Sequence, residues 1–154
     1  MTGDSARARL EQLGVVLPQV VAPLASYIPA VRTGNLVYTS GQLPMEGGRL
    51  AGTGKVGGGV SPEEGKALAR ICALNALAAV GSVVDIDAVT RVVKVVGFVA
   101  SAPGFNGQPS VINGASELFA EVFGDNGAHA RSAVGVAELP LDAPVEVELI
   151  VEVG

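Results

Sequence analysis

Apolar and polar positions along this chain repeat with two different periods, and the changes of period mark out its elements. Near the N-terminus, residues 5 to 13 place Leu10 and Leu13 on one side of a short amphipathic helix, with Pro18 beyond its end. Two β-branched and aromatic runs follow, Ser26 to Arg32 and Asn35 to Gln42; separated by Thr33-Gly34, they predict an antiparallel hairpin. A Gly47-Gly48 turn leads into a weak third strand. At Ser61-Pro62-Glu63-Glu64 the period becomes helical: Ser61 is an N-cap, Pro62 fits the first helical position and Glu64 can complete a capping box. Leu68, Ile71, Cys72, Leu74, Leu77 and Ala78 form the stripe of a helix running to about Val80, which Gly81 stops.

Val89 to Val99 is apolar on nearly both sides, as a central strand should be. Between Pro109 and Phe123 the spacing of Val111, Ile112, Ala115, Leu118, Phe119, Val122 and Phe123 describes one face of a second long helix, ended by Gly124. Two alternating segments close the chain. In the first, Ser132, Val134 and Val136 oppose Arg131, Ala133, Gly135 and Ala137; in the second, Val145, Val147, Leu149, Val151 and Val153 oppose Glu146, Glu148, Ile150 and Glu152. With both valine-rich rows on the core, Arg131, Glu146 and Glu148 share the opposite face of the sheet. The order β-β-(β)-α-β-α-β-β predicts a single α+β domain whose mainly antiparallel sheet carries two long helices on one face. On pattern alone, the other face fits solvent, a ligand cleft or a subunit interface.

Composition narrows this choice. Hydrophobic residues make up 49 % of 154 residues and charged residues only 16 %, a balance that favours burial of some surface in an oligomer. The formal net charge of −5 and the 4 % aromatic content supply neither a phosphate-binding patch nor stacking platforms, so nucleic acid is not an expected partner. One Cys and one His exclude the usual zinc spacings and an internal disulfide, and Cys72 within its apolar stripe reads as a buried small hydrophobe. No segment reads as a secretory signal or a membrane span, which predicts a cytoplasmic protein. The Gly52–Gly59 run suggests a phosphate loop, but Val56 stands where Ser or Thr would be needed and Arg49 where the leading glycine belongs. It reads as a connector.

Three segments in order carry a family resemblance: Asn35-Leu36-Val37-Tyr38-Thr39-Ser40-Gly41-Gln42-Leu43-Pro44, Ala130-Arg131-Ser132 and Val145-Glu146-Val147-Glu148. With the helices between them they resemble the RidA (YjgF-like) family over roughly Ser26 to Val153. The resemblance implies a chorismate-mutase-like fold and a homotrimer, with residues 1–25 as an N-terminal extension and 26–153 as the core. It also implies an enamine/imine deaminase that hydrolyses 2-imino acids such as 2-aminoacrylate and 2-iminopropanoate to 2-keto acids and ammonia, with no cofactor and no metal. Arg131 then corresponds to the arginine that anchors the substrate carboxylate, a task suited to a planar guanidinium. Glu146 corresponds to the glutamate that handles the attacking water, with Glu148 in reserve. Ser40, Gly41 and the backbone at Ala133 line the pocket implied, and Tyr27 and Asn113 fall at positions that often face it.

The chain departs from the family in four places. Ala133 stands where many active members have cysteine, His129 where they have proline, and the extension and the connector at 101–109 are longer. His129 itself, with no Asp or Ser pattern around it, reads as a loop or interface residue. Two other functions compete: a regulatory trimer that binds small carboxylates without turnover, and an endoribonuclease or translation inhibitor, which the acidic balance disfavours.

Overall fold

A computed structural model describes residues 3–154. In chain order the elements are α1 (Ala6–Gln12), β1 (Ala30–Thr33), β2 (Leu36–Thr39), β3 (Met45–Glu46), β4 (Arg49–Leu50), α2 (Pro62–Gly81), β5 (Val89–Ala100), α3 (Gln108–Phe123), β6 (Ala130–Val136) and β7 (Val145–Val153). A five-stranded sheet runs β1-β2-β7-β5-β6, while β3 and β4 pair only with each other. The weak third strand is therefore a separate small hairpin and not part of the main sheet.

Both long helices start and stop where local chemistry places them. The Ser61 hydroxyl accepts from Glu64 N at 3.1 Å and the Glu64 carboxylate accepts from Ser61 N at 3.4 Å, closing the capping box at the head of α2. At the head of α1 the Ser5 side chain alone caps, accepting from Ala8 N. The first hairpin begins later than its composition suggests, at Ala30, and turns on Gly34-Asn35. Residues 14–29 cross the surface without regular structure.

β7 alternates as its sequence demands, with Val145, Val147, Leu149, Val151 and Val153 buried on the side covered by α2 and α3. These side chains pack against Leu68, Cys72, Leu77, Ile112, Leu118 and Phe119. The helices lie close together: a Cβ on Gly114 would overlap the Lys66 carbonyl oxygen, so only glycine permits this approach. On the outer surface Lys66–Glu117 and Arg70–Glu121 bridge α2 to α3, exposed pairs that contribute little. β5 runs antiparallel to β7 but parallel to β6, because α3 carries the chain back to the starting end of β5 before β6 begins.

Candidate functional site

The strand register places the two principal candidates. In β7, Glu146 pairs with Phe98 and Glu148 with Val96, on the face away from the helices. In β6, Arg131 pairs with Val95 and Ala133 with Gly97, on the helix-covered face. The expected sharing of one face by Arg131, Glu146 and Glu148 is therefore incorrect. The valine row of β6 points outward, and Val134 is 44 % exposed. Packing explains the reversal. Beneath α3 there is room only for small residues, since a Cβ on Gly97 would overlap Ile112, and the row that fits there is Ala133 and Gly135.

One chain thus holds two separate groups of polar residues, with β5 between them. On the helix side, Arg131 Nη1 donates to Asn113 Oδ1 at 2.7 Å and to Ser116 Oγ at 3.2 Å, and Nη2 donates to the Pro109 carbonyl at 3.3 Å. Asn113, Ser116 and Pro109 all lie on α3. Ala133 follows Arg131 on the same side and packs against the core. His129 precedes it by two residues, with Nε2 2.9 Å from Ser116 Oγ and Nδ1 2.6 Å from the Gly127 carbonyl. It is tied into the arginine's surroundings, beyond the loop role read from sequence. The signal was present in the spacing: His129 and Arg131 share a strand side, and Asn113 and Ser116 share a helix face.

The second group surrounds Glu146. Gln42 and Val147 exchange backbone hydrogen bonds at 2.8 and 3.0 Å, which holds the segment Ser40-Gly41-Gln42 against β7. A Cβ on Gly41 would lie 2.7 Å from Glu146 Oε2, so glycine is needed for the carboxylate to rest there. Ser40 Oγ donates to the Ile28 carbonyl at 2.6 Å, and the Tyr27 hydroxyl accepts from Leu24 N at 3.1 Å. Tyr27 and Gly41 line a small cavity of about 20 Å³ together with Pro23, Pro29 and Leu43. Burial, and then the neighbouring charge of Glu148, raise the Glu146 carboxyl above the ordinary carboxylate range. No ion pair to either carboxylate forms among the described residues.

Cys72 is fully buried in α2, and burial followed by the Glu146 charge pushes its thiol well above the usual cysteine value. It is therefore no candidate nucleophile. Among the described residues no group of three or more His, Cys, Asp or Glu side chains could hold a metal ion. No described helix is long and apolar enough to cross a membrane.

Known proteins share this arrangement of elements. The family model for endoribonuclease L-PSP matches residues 18–153. Protein TCP17 of Trypanosoma cruzi is 45 % identical over 149 residues, covering 96 % of this chain and 93 % of its own. A 2-iminobutanoate/2-iminopropanoate deaminase of Dermatophagoides farinae is 35 % identical over 134 residues, covering 87 % and 91 %. The crystal structure of Atu1372, a protein of unknown function from Agrobacterium tumefaciens, superposes with a TM-score of 0.89 at 48 % identity, covering 97 % of this chain and 92 % of that one. With a family match over most of its length and relatives of 30 % identity or more covering over four fifths of it, the chain belongs to the endoribonuclease L-PSP family, the RidA or YjgF family.

Proposed function

We propose that the protein hydrolyses small 2-imino acids to 2-keto acids and ammonia in a cleft formed between two copies of the chain. The observation that carries this reading is the half-buried Glu146 carboxylate, resting on Gly41, in no ion pair among the described residues and made more basic by burial and by Glu148. Glu146 takes a proton from water as the water oxygen bonds to the imine carbon, and the C=N π electrons pass to nitrogen. The proton is then delivered to that nitrogen, giving a carbinolamine; Glu146 next takes the proton of the new hydroxyl and passes it to the amine, the C–N bond breaks, and ammonia leaves as the C=O forms. Arg131 holds the substrate carboxylate, which retains the substrate in the cleft. The mite relative's name supports the same substrate class.

Within one chain Arg131 and Glu146 face opposite sides of the sheet, so a shared site requires Arg131 from one copy and Glu146 from the next. The uncovered sheet face supports such an assembly, with Val31, Tyr38 and Val134 between 42 and 49 % exposed. A homotrimer is the assembly proposed, placing Tyr27, Ser40 and Gly41 on the Glu146 wall and Asn113 and Ala133 on the Arg131 wall.

The test measures release of ammonia and 2-keto acid from 2-iminopropanoate generated in situ. Arg131→Ala and Glu146→Gln are each expected to lose at least about 100-fold in kcat/KM. Mixing the two inactive variants and reassembling them should recover about a quarter of wild-type activity, because random association pairs an intact Arg131 with an intact Glu146 at that frequency. No recovery from properly mixed assemblies would defeat the two-copy site. Failure of the wild type on several imino acids, with 2-keto acids still bound, would leave a regulatory carboxylate-binding trimer. RNA cleavage, suggested by the family model's name, is disfavoured by the net charge of −5 and the single histidine.

A further inference from the structure

Behind Arg131 lies a hydrogen-bond chain whose polarity the geometry fixes. A carbonyl oxygen cannot donate, so His129 Nδ1, 2.6 Å from the Gly127 carbonyl, carries the ring proton. In the neutral ring His129 Nε2 then presents a lone pair and accepts the Ser116 hydroxyl proton across 2.9 Å. With its proton committed to the ring, Ser116 Oγ turns a lone pair to Arg131 Nη1 at 3.2 Å. The ring itself is held edge-on to Phe119, with centroids 6.1 Å apart and planes at 86°. Every link has a donor facing an acceptor, and donation runs in one direction from the guanidinium to the Gly127 carbonyl.

The guanidinium has five N–H donors, of which three go to Asn113, Ser116 and Pro109, leaving two for a ligand. Two of the three fixed bonds are made by Nη1, so Asn113 and Ser116 together set the plane of the group. If Ser116 could rotate freely, its proton could point at Nη1 and oppose the arginine; the histidine prevents this.

We propose that His129 and Ser116 are positioning residues that lock the Arg131 guanidinium in the orientation that grips a 2-imino or 2-keto acid carboxylate. The inference rests on the reading of Arg131 as the carboxylate anchor. A lock of this kind acts on carboxylate binding and hardly on the proton transfers at Glu146. Its loss therefore weakens KM and ligand Kd and leaves kcat nearly unchanged.

The experiment measures Kd for 2-oxobutanoate by calorimetric titration, and kcat and KM with 2-iminobutanoate, for Ser116→Ala, His129→Leu, His129→Gln and Arg131→Ala, each checked for wild-type assembly. Ser116→Ala and His129→Leu are expected to raise Kd and KM about tenfold with kcat within about twofold. The double variant should be no worse than the worse single one, because both act through one chain. His129→Gln, which returns an acceptor near the Nε2 position, should bring Kd back to within about threefold of wild type. Unchanged Kd in His129→Leu and Ser116→Ala, alongside a large loss in Arg131→Ala, would overturn the lock and spare the anchor. An equal loss in His129→Gln and His129→Leu would also overturn it, as a merely structural effect. Unchanged Kd in Arg131→Ala would remove the anchor and the lock with it.

Discussion

Glu146 is where a single residue trades stability against the proposed chemistry. Its carboxyl holds a proton more readily in the folded protein than in the unfolded chain, because burial and Glu148 disfavour the charge. Folding therefore takes up a proton between the ordinary and the raised value, and stability falls as pH rises through that window. Glu146→Gln is expected to melt at a higher temperature than wild type at pH 7, with the difference closing as pH falls below the ordinary carboxylate range, while activity drops by about 100-fold or more. Thermal melts across pH check the first outcome and imine assays the second. Gly41→Ala, whose Cβ would sit 2.7 Å from Oε2, should displace the carboxylate and cost about tenfold or more in kcat with the fold retained by circular dichroism. The Cys72 thiol, fully buried and held protonated, should resist alkylation at pH 8 until the protein unfolds, as mass spectrometry would show.

At the scale of elements, the helix pair and its contact with the sheet position the arginine. Asn113, Ser116 and Pro109 reach Arg131 only because α3 lies tightly on β5 at Gly97 and on α2 at Gly114. Gly114→Ala would drive a methyl group into the Lys66 carbonyl and push the helices apart. The expected cost is about 1–3 kcal/mol in denaturant unfolding, with a loss of carboxylate binding larger than the stability change alone would produce. Ser61→Ala removes one capping bond and should cost about 1 kcal/mol with binding unaltered. These two variants separate the packing that serves the site from the capping that serves only the fold. The helices were legible in the sequence because their caps and stripes are local; the closeness of their approach was not, since it depends on which glycines face each other.

For the whole molecule, the open sheet face is the feature with the largest consequence. Val31, Tyr38 and Val134 stand exposed there, and the two polar groups that the proposed site would unite lie on opposite sides of the sheet. Assembly would cover the first and unite the second. The wild type is expected to behave as a trimer in light scattering. Val134→Asp, which places a charge in the uncovered valine row, should shift it toward monomer with the circular dichroism spectrum kept and imine hydrolysis lost.

The sequence alone determined the long helices, the main strands and the segments that carry the family resemblance. The capping box at Ser61, the apolar stripes of α2 and α3, and the strict alternation of β7 are local patterns that need no partner to be read. The motifs around Ser40-Gly41, Arg131 and Glu146 carried the family in the same way. What only the tertiary structure decided was which face each strand turns to the helices. An edge strand such as β6, alternating small residues with valines, can bury either row; the tightness of α3 over Gly97 selects the small one and sends the valines out. That selection moves Arg131 away from Glu146 and into contact with Asn113 and Ser116, and it brings His129, two residues before Arg131, against Ser116. Periodicity specifies that two faces exist, and packing volume chooses between them.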